Sequence, residues 1–131
     1  MNQPKILVVD DDSKMSSLLR MFLSRVGGYE VREVNHSPNA LKTLREYQPD
    51  LIILDVDMPE KDGGQIAAEV RADPGFSGIP LIFLSGLIGK EQSGSRDGIV
   101  YLSKPVELSA LIERVRRLLH KPALDSLVHG L

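Results

Sequence analysis

Five short apolar runs punctuate the chain, and the residues between them carry apolar positions at helical spacing. Ile6-Leu7-Val8-Val9 is continuous and rich in β-branched side chains, as expected for a strand covered on both faces. Met15, Leu18, Leu19, Phe22, Leu23 and Val26 follow at steps of three and four, which predicts an amphipathic helix ending at Gly27-Gly28. Tyr29 to Val34 alternates and reads as a short strand nearer the sheet edge. Ser37-Pro38 offers a capping hydroxyl before a proline at the first helical position, and Leu41, Leu44 and Tyr47 continue that helix until Pro49 closes it. Leu51 to Leu54 is a third strand. Lys61-Asp62-Gly63-Gly64 is a turn leading to a short helix with Ile66, Ala67 and Val70, broken by Asp73-Pro74-Gly75. Ile79 to Leu84 and Ile99 to Leu102 are the fourth and fifth strands. Leu108, Leu111, Ile112, Val115, Leu118 and Leu119 form the most regular helical stripe.

Alternating strands and helices over this length predict an α/β domain on a parallel sheet, because parallel neighbours need crossover connections. Open sheets of this kind bind ligands beyond the carboxyl ends of their strands, where strand order reverses. In a flavodoxin-like, doubly wound five-stranded sheet of order 2-1-3-4-5, that crevice lies between the first and third strands. Those two runs end in Asp10-Asp11-Asp12 and in Asp55. The fourth ends in Ser85 and the fifth in Lys104-Pro105, so four apolar runs each deliver a polar residue to one end of the sheet.

Composition narrows the classes. With 131 residues, the chain is one ordinary domain. A hydrophobic content of 42% with 26% charged residues is that of a globular protein. A net charge of -2 gives no electrostatic case for nucleic acid or an anionic membrane as a main partner. The absence of cysteine excludes disulfides, thiolate nucleophiles and thiolate-bound metals. No signal peptide or membrane-length apolar run is present, and the simplest expectation is a cytoplasmic protein.

The clustered carboxylates repel one another, and that proximity calls for a cation. Hard oxygen donors without nearby His or Cys favour Mg²⁺, with Mn²⁺ as the alternative. Lys104 adds a fixed positive charge and Ser85 a hydroxyl. A carboxylate nucleophile, a divalent metal, a cation and a hydroxyl are what phosphoryl transfer to an aspartate requires, since its catalysis is mostly positioning and charge neutralisation.

The chain resembles the receiver domains of two-component response regulators over about residues 4 to 120. The resemblance rests on Ile6-Leu7-Val8-Val9-Asp10-Asp11-Asp12, on Asp50 through Pro59 with Asp62-Gly63, on Pro80-Leu81-Ile82-Phe83-Leu84-Ser85-Gly86, and on Tyr101-Leu102-Ser103-Lys104-Pro105. It implies that Asp55 accepts a phosphoryl group from a sensor histidine kinase or a histidine phosphotransfer protein. It also implies a Mg²⁺ site in which Asp11 and Asp55 bind through carboxylates, Asp57 through its backbone carbonyl and Asp10 mainly through water. Ser85 would hydrogen-bond the phosphoryl group, Lys104 would pair with it, and the Lys104-Pro105 bond would be cis. Tyr101 matches the family's switch aromatic. The output would pass to an unidentified protein partner, with no nucleic acid or membrane contacted by this chain.

Other residues read as ordinary structure. Asp12 and Ser13 suit the start of the first helix, Glu60 and Lys61 a solvated turn, and His36, His120 and His129 the surface. Residues 86–98 contain four glycines, at positions 86, 89, 94 and 98, which predicts a shortened or irregular fourth helix. Residues 1–120 form the expected receiver and 121–131 a tail or the start of a linker. Two rival readings are a pseudo-receiver that binds without phosphorylation and a phosphatase of the haloacid-dehalogenase type, suggested by Asp55-Val56-Asp57. The latter would carry its motif on the first strand and add a cap domain.

Overall fold

The structure, a computed structural model, describes residues 3–86, 94–96 and 99–129, with the side chains of 95–96 and 121–129 outside that description. Its sheet has the order β2-β1-β3-β4-β6-β5. The strands are β1 (Lys5–Val9), β2 (Glu30–Val34), β3 (Leu51–Asp55), β4 (Leu81–Ser85), β5 (Gly94–Arg96) and β6 (Ile99–Ser103). All pairings are parallel except that of β5 with β6. With β6 counted as the fifth parallel strand, the expected order 2-1-3-4-5 is the observed one. The helices are α1 (Ser13–Gly27), α2 (Ala40–Tyr47), α3 (Gly63–Ala72) and α4 (Leu108–His129).

The continuous apolar runs are explained by burial on both sheet faces. Leu7, Val9, Ile52, Leu54, Leu81 and Phe83 pack with Leu44 and Tyr47 of α2 and Ile66 and Val70 of α3. Ile6, Val8, Ile53, Ile82, Leu84 and Val100 face the other way, against Leu19 and Leu23 of α1 and Leu111, Ile112 and Val115 of α4. Each such side chain contributes roughly 1.5–3 kcal/mol by leaving water. Helix α1 ends as predicted, with Gly28 in the left-handed conformation at φ 74° and its N–H on Leu23 and Ser24 carbonyls.

Two local expectations are corrected. Ser37 does not cap a helix. A short 3-10 turn (Ser37–Asn39) precedes α2, and the buried Ser37 hydroxyl donates to the Pro59 carbonyl at 3.0 Å and accepts the Lys61 N–H at 3.2 Å. It therefore ties the loop after β2 to the loop after β3. Gly63 and Gly64, read as turn, are the first residues of α3, capped by Asp62 and Gln65 in a reciprocal pair.

The glycine-rich stretch holds an edge strand where a shortened fourth helix is expected. Gly94 to Arg96 pairs antiparallel with β6, Gly94 opposite Tyr101 and Arg96 opposite Ile99. Residues 87–93 and 97–98 lie outside the described residues, and so does the question of helix there. The backbone of α4 continues through the expected tail to His129. Among the described residues no helix is long and apolar enough to cross a membrane.

Candidate acidic site at the carboxyl end of the sheet

Strands β1 and β3 are neighbours, in register from Ile6 opposite Leu51 to Val9 opposite Leu54. The next residue of each is therefore brought alongside: Asp10 just past β1, and Asp55 as the last residue of β3. Asp10, Asp11 and Asp55 each present a carboxylate oxygen within 4.8 Å of the others; Asp10 and Asp55 are buried and Asp11 is exposed. Asp12 is the N-cap of α1, accepting from the Lys14 and Met15 N–H groups, so the third acid of the run belongs to the helix.

Burial pushes the Asp10 carboxyl up to about 6; the Asp12 N–H and Lys104 oppose that shift, and the Asp55 charge adds to it. One Asp10 oxygen accepts the Asp12 N–H at 2.9 Å. The other, Oδ2, is buried without a hydrogen-bond partner. A buried carboxylate oxygen left unpaired is costly unless a cation takes it. With only oxygen donors around it, this set fits a hard divalent ion such as Mg²⁺.

Lys104 arrives from the fourth parallel junction. β6 runs alongside β4, Ser85 opposite Ser103, and the Lys104 N–H donates to the Ser85 carbonyl at 2.8 Å. The Lys104-Pro105 bond is cis, as the resemblance implies. The ammonium nitrogen of Lys104 lies 2.8 Å from Asp55 Oδ1. Burial draws the Lys104 pKa down, but the hydrogen bond to Asp55 and the charges of Asp55, Asp10 and Asp57 leave it raised overall. Asp55 Oδ1 also accepts the Asp57 N–H at 3.3 Å, which orients the loop after β3. Ser85 is buried at the end of β4, next to Leu84, the residue opposite Asp55. Tyr101 is half-buried on β6, its ring 5.4 Å from that of Phe83.

Residues 6–116 match the response regulator receiver domain family. The chain belongs to that family. The receiver is 33% identical over 124 residues to a DNA-binding dual master transcriptional regulator, RpaA, of Synechocystis, an alignment covering 90% of this chain and 50% of that protein. It spans about half the length of the curated relatives it matches. Its fold superposes on the receiver domain of a Francisella response regulator with a TM-score of 0.80 at 29% identity, covering 92% of this chain and 99% of that one. The receiver domain of a signal transduction histidine kinase from Syntrophus aciditrophicus gives 0.78 at 30% identity, covering 90% and 91%.

The receiver assignment displaces the haloacid-dehalogenase reading. Asp55 ends the third strand in sequence, and the acids beside it come from the first. Glu60 lies exposed in the turn, as expected, at φ 67°, whereas Lys61 is half-buried and pairs with Glu69 at 2.9 Å. His36 and His120 are exposed, as expected, whereas the His129 side chain lies outside the described residues. One neighbour of the site was missed. β2 is followed by Asn35, whose amide reaches the Asp10 carbonyl at 2.8 Å. The rule that singled out Asp10, Asp55, Ser85 and Lys104, a polar residue at a strand's carboxyl end, points equally to Asn35.

Proposed function

We propose that this receiver is the phosphoacceptor of a two-component phosphorelay, with Asp55 as the accepting residue. The observation that carries the reading is the pairing of a buried Asp55 with Lys104 at 2.8 Å beside two further acids. An Asp55 carboxylate oxygen attacks the phosphorus of a phosphohistidine on a sensor histidine kinase or phosphotransfer protein. The P–N bond breaks, and its electron pair stays on the imidazole nitrogen, which takes up a proton. Asp11 and Asp55 through carboxylates, Asp57 through its backbone carbonyl and Asp10 chiefly through water would hold Mg²⁺, or Mn²⁺, which supplies charge neutralisation on the phosphoryl oxygens.

Lys104 starts on Asp55 and is positioned to follow the new negative charge onto the phosphoryl group. The Ser85 hydroxyl donates to it from the neighbouring strand. Phosphorylation adds about -1.5 to -2 charge and strong acceptor oxygens, so any backbone arrangement in which Ser85 and Lys104 bind them better gains population. Tyr101, on the strand beside Ser85, reports that rearrangement toward a partner surface. The partner is a protein or, since relatives are named as DNA-binding regulators, a nucleic acid reached through segments outside these residues. The setting is cytoplasmic, where ATP-dependent kinases act.

Treatment with acetyl phosphate and Mg²⁺ tests this reading by intact mass. Wild type gains one phosphoryl group and Asp55→Asn gains none. No mass gain in wild type, together with no response to beryllofluoride, rejects the phosphoacceptor reading in favour of a phosphorylation-independent binding module.

A further inference from the structure

Between β2 and α1 runs a chain of polar contacts that the phosphoryl chemistry does not use. Arg20 of α1 donates to one oxygen of Glu33, whose other oxygen accepts the Ser16 hydroxyl at 2.6 Å and the Ser17 hydroxyl at 3.3 Å. Burial works against the Glu33 charge, but the hydrogen bonds from Ser16, Arg20 and Ser17 outweigh it and leave the carboxyl below its usual pKa. The carboxylate is ionised and can only accept. Ser16 is wholly buried and has a single hydroxyl proton. Its other candidate acceptor, the Ser13 carbonyl, is farther at 3.2 Å and uncharged, so that proton goes to Glu33.

The Ser16 oxygen therefore turns its lone pairs to Asn35, whose amide nitrogen lies 2.8 Å away. The same nitrogen lies 2.8 Å from the backbone carbonyl of Asp10, which also can only accept. Two acceptors on one edge of the amide fix its orientation, with the NH₂ inward and one proton for each partner. Asp10 is one step beyond the β1–β2 ladder, which ends at Val9 opposite Val34, while its own N–H still donates to the Val34 carbonyl at 3.0 Å. Its carbonyl belongs to the peptide unit joining Asp10 to Asp11. The orientation of that plane sets how the two acidic side chains diverge.

We propose that Asn35 is a positioning residue of the acidic site, holding the Asp10–Asp11 peptide so that both carboxylates face Asp55, with Ser16 and Glu33 orienting its amide. This inference rests on the metal-binding reading of Asp10 and Asp11 given above. Asn35 touches neither phosphate nor metal, and its effect is on how ready the acids are to receive a divalent cation.

The test is Mg²⁺ binding to the unphosphorylated full chain, followed by the amide resonances of residues 10–12 and 55–57. Asn35→Ala weakens Mg²⁺ binding by at least about threefold, a floor set below the roughly 10–100-fold that loss of an outer partner costs a metal site, while the urea midpoint gives its separate cost to folding. Ser16→Ala weakens it in the same direction by a smaller factor. A merely structural role lowers the urea midpoint and leaves the Mg²⁺ affinity of the folded protein where it was. An Asn35→Ala affinity within threefold of wild type overturns the proposal. Should that variant not fold, Ser16→Ala decides, and an affinity equal to wild type overturns it. A wild type that binds Mg²⁺ yet neither takes a phosphoryl group from acetyl phosphate nor responds to beryllofluoride rejects the phosphoacceptor reading and leaves the Asn35 comparison intact.

Discussion

Asp10 carries its charge in a setting that disfavours it: buried, beside Asp55, with one oxygen unpaired. Its carboxyl is raised from 3.8 to about 6 in the folded chain. A raised folded-state pKa contributes stability below pH 3.8 that is lost as the pH climbs through 6, so the metal-free protein carries its penalty at neutral pH. Asp10→Asn is expected to stabilise the metal-free chain at pH 7.5 by up to about 3 kcal/mol, with the gain shrinking at pH 5. Urea unfolding at the two pH values checks this, and a gain independent of pH contradicts it. Mg²⁺ is expected to narrow the gap by stabilising wild type more than the variant. Asp57 is exposed and differs in kind, since in the proposed metal site its backbone carbonyl, whatever its side chain, would be the ligand. A carboxylate at this position would order an attacking water, so Asp57→Asn is expected to lengthen the lifetime of the proposed Asp55 phosphoryl group. An unchanged lifetime counts against that role.

Helix α3 is held against β3 by a contact that admits no side chain. A Cβ on Gly63 would lie 2.5 Å from the Asp55 carbonyl oxygen and 3.0 Å from the Val56 Cα. Both are backbone atoms, which cannot step aside. Gly63→Ala is therefore expected to cost about 1–3 kcal/mol in urea unfolding and to disturb the amide signals of Asp55 and Val56. Helix α2 errs the other way, closing on Gln48 at φ 52°, a left-handed conformation that suits glycine. Gln48→Gly should stabilise by about 0.5–1 kcal/mol, and a lowered melting temperature would speak against it. These two elements also mark where sequence reasoning succeeds and fails. Runs such as Leu51 to Leu54 declare their strand because burial on both faces demands unbroken apolar side chains. The residues at their ends then declare the site. Ser37 was misread because a hydroxyl before a proline carries the same local pattern whether it caps a helix or ties down a distant loop. The end of β2 marks Asn35 as it marks the other strand-end residues, but its partners Ser16 and Asp10 are remote in sequence and meet it only once β2 lies beside α1 and β1. The β5 strand was hidden because glycines weaken a helix without specifying what replaces it.

Across the whole molecule the site joins four strand ends, and the proposed response would run outward from Asp55 through Ser85 on β4 to Tyr101 on β6. Beryllofluoride with Mg²⁺ is expected to shift amide signals along β4 and β6 more than those along β2. In Tyr101→Ala the shifts at Asp55 and Ser85 should persist while those beyond β6 shrink, and an unaltered pattern removes Tyr101 from the switch. The outer side of β6 carries the one antiparallel pairing among the described strands. An all-parallel sheet would present there a full row of unpaired backbone donors and acceptors. Instead Gly94 to Arg96 occupies part of that row, leaving a three-residue antiparallel strand as the outermost one among the described residues. So short an edge is a poor template for another chain to add itself by strand pairing. Gly94–Arg96 thereby leaves less of the β6 edge open to strand addition by another chain, a consequence that does not depend on phosphorylation of Asp55.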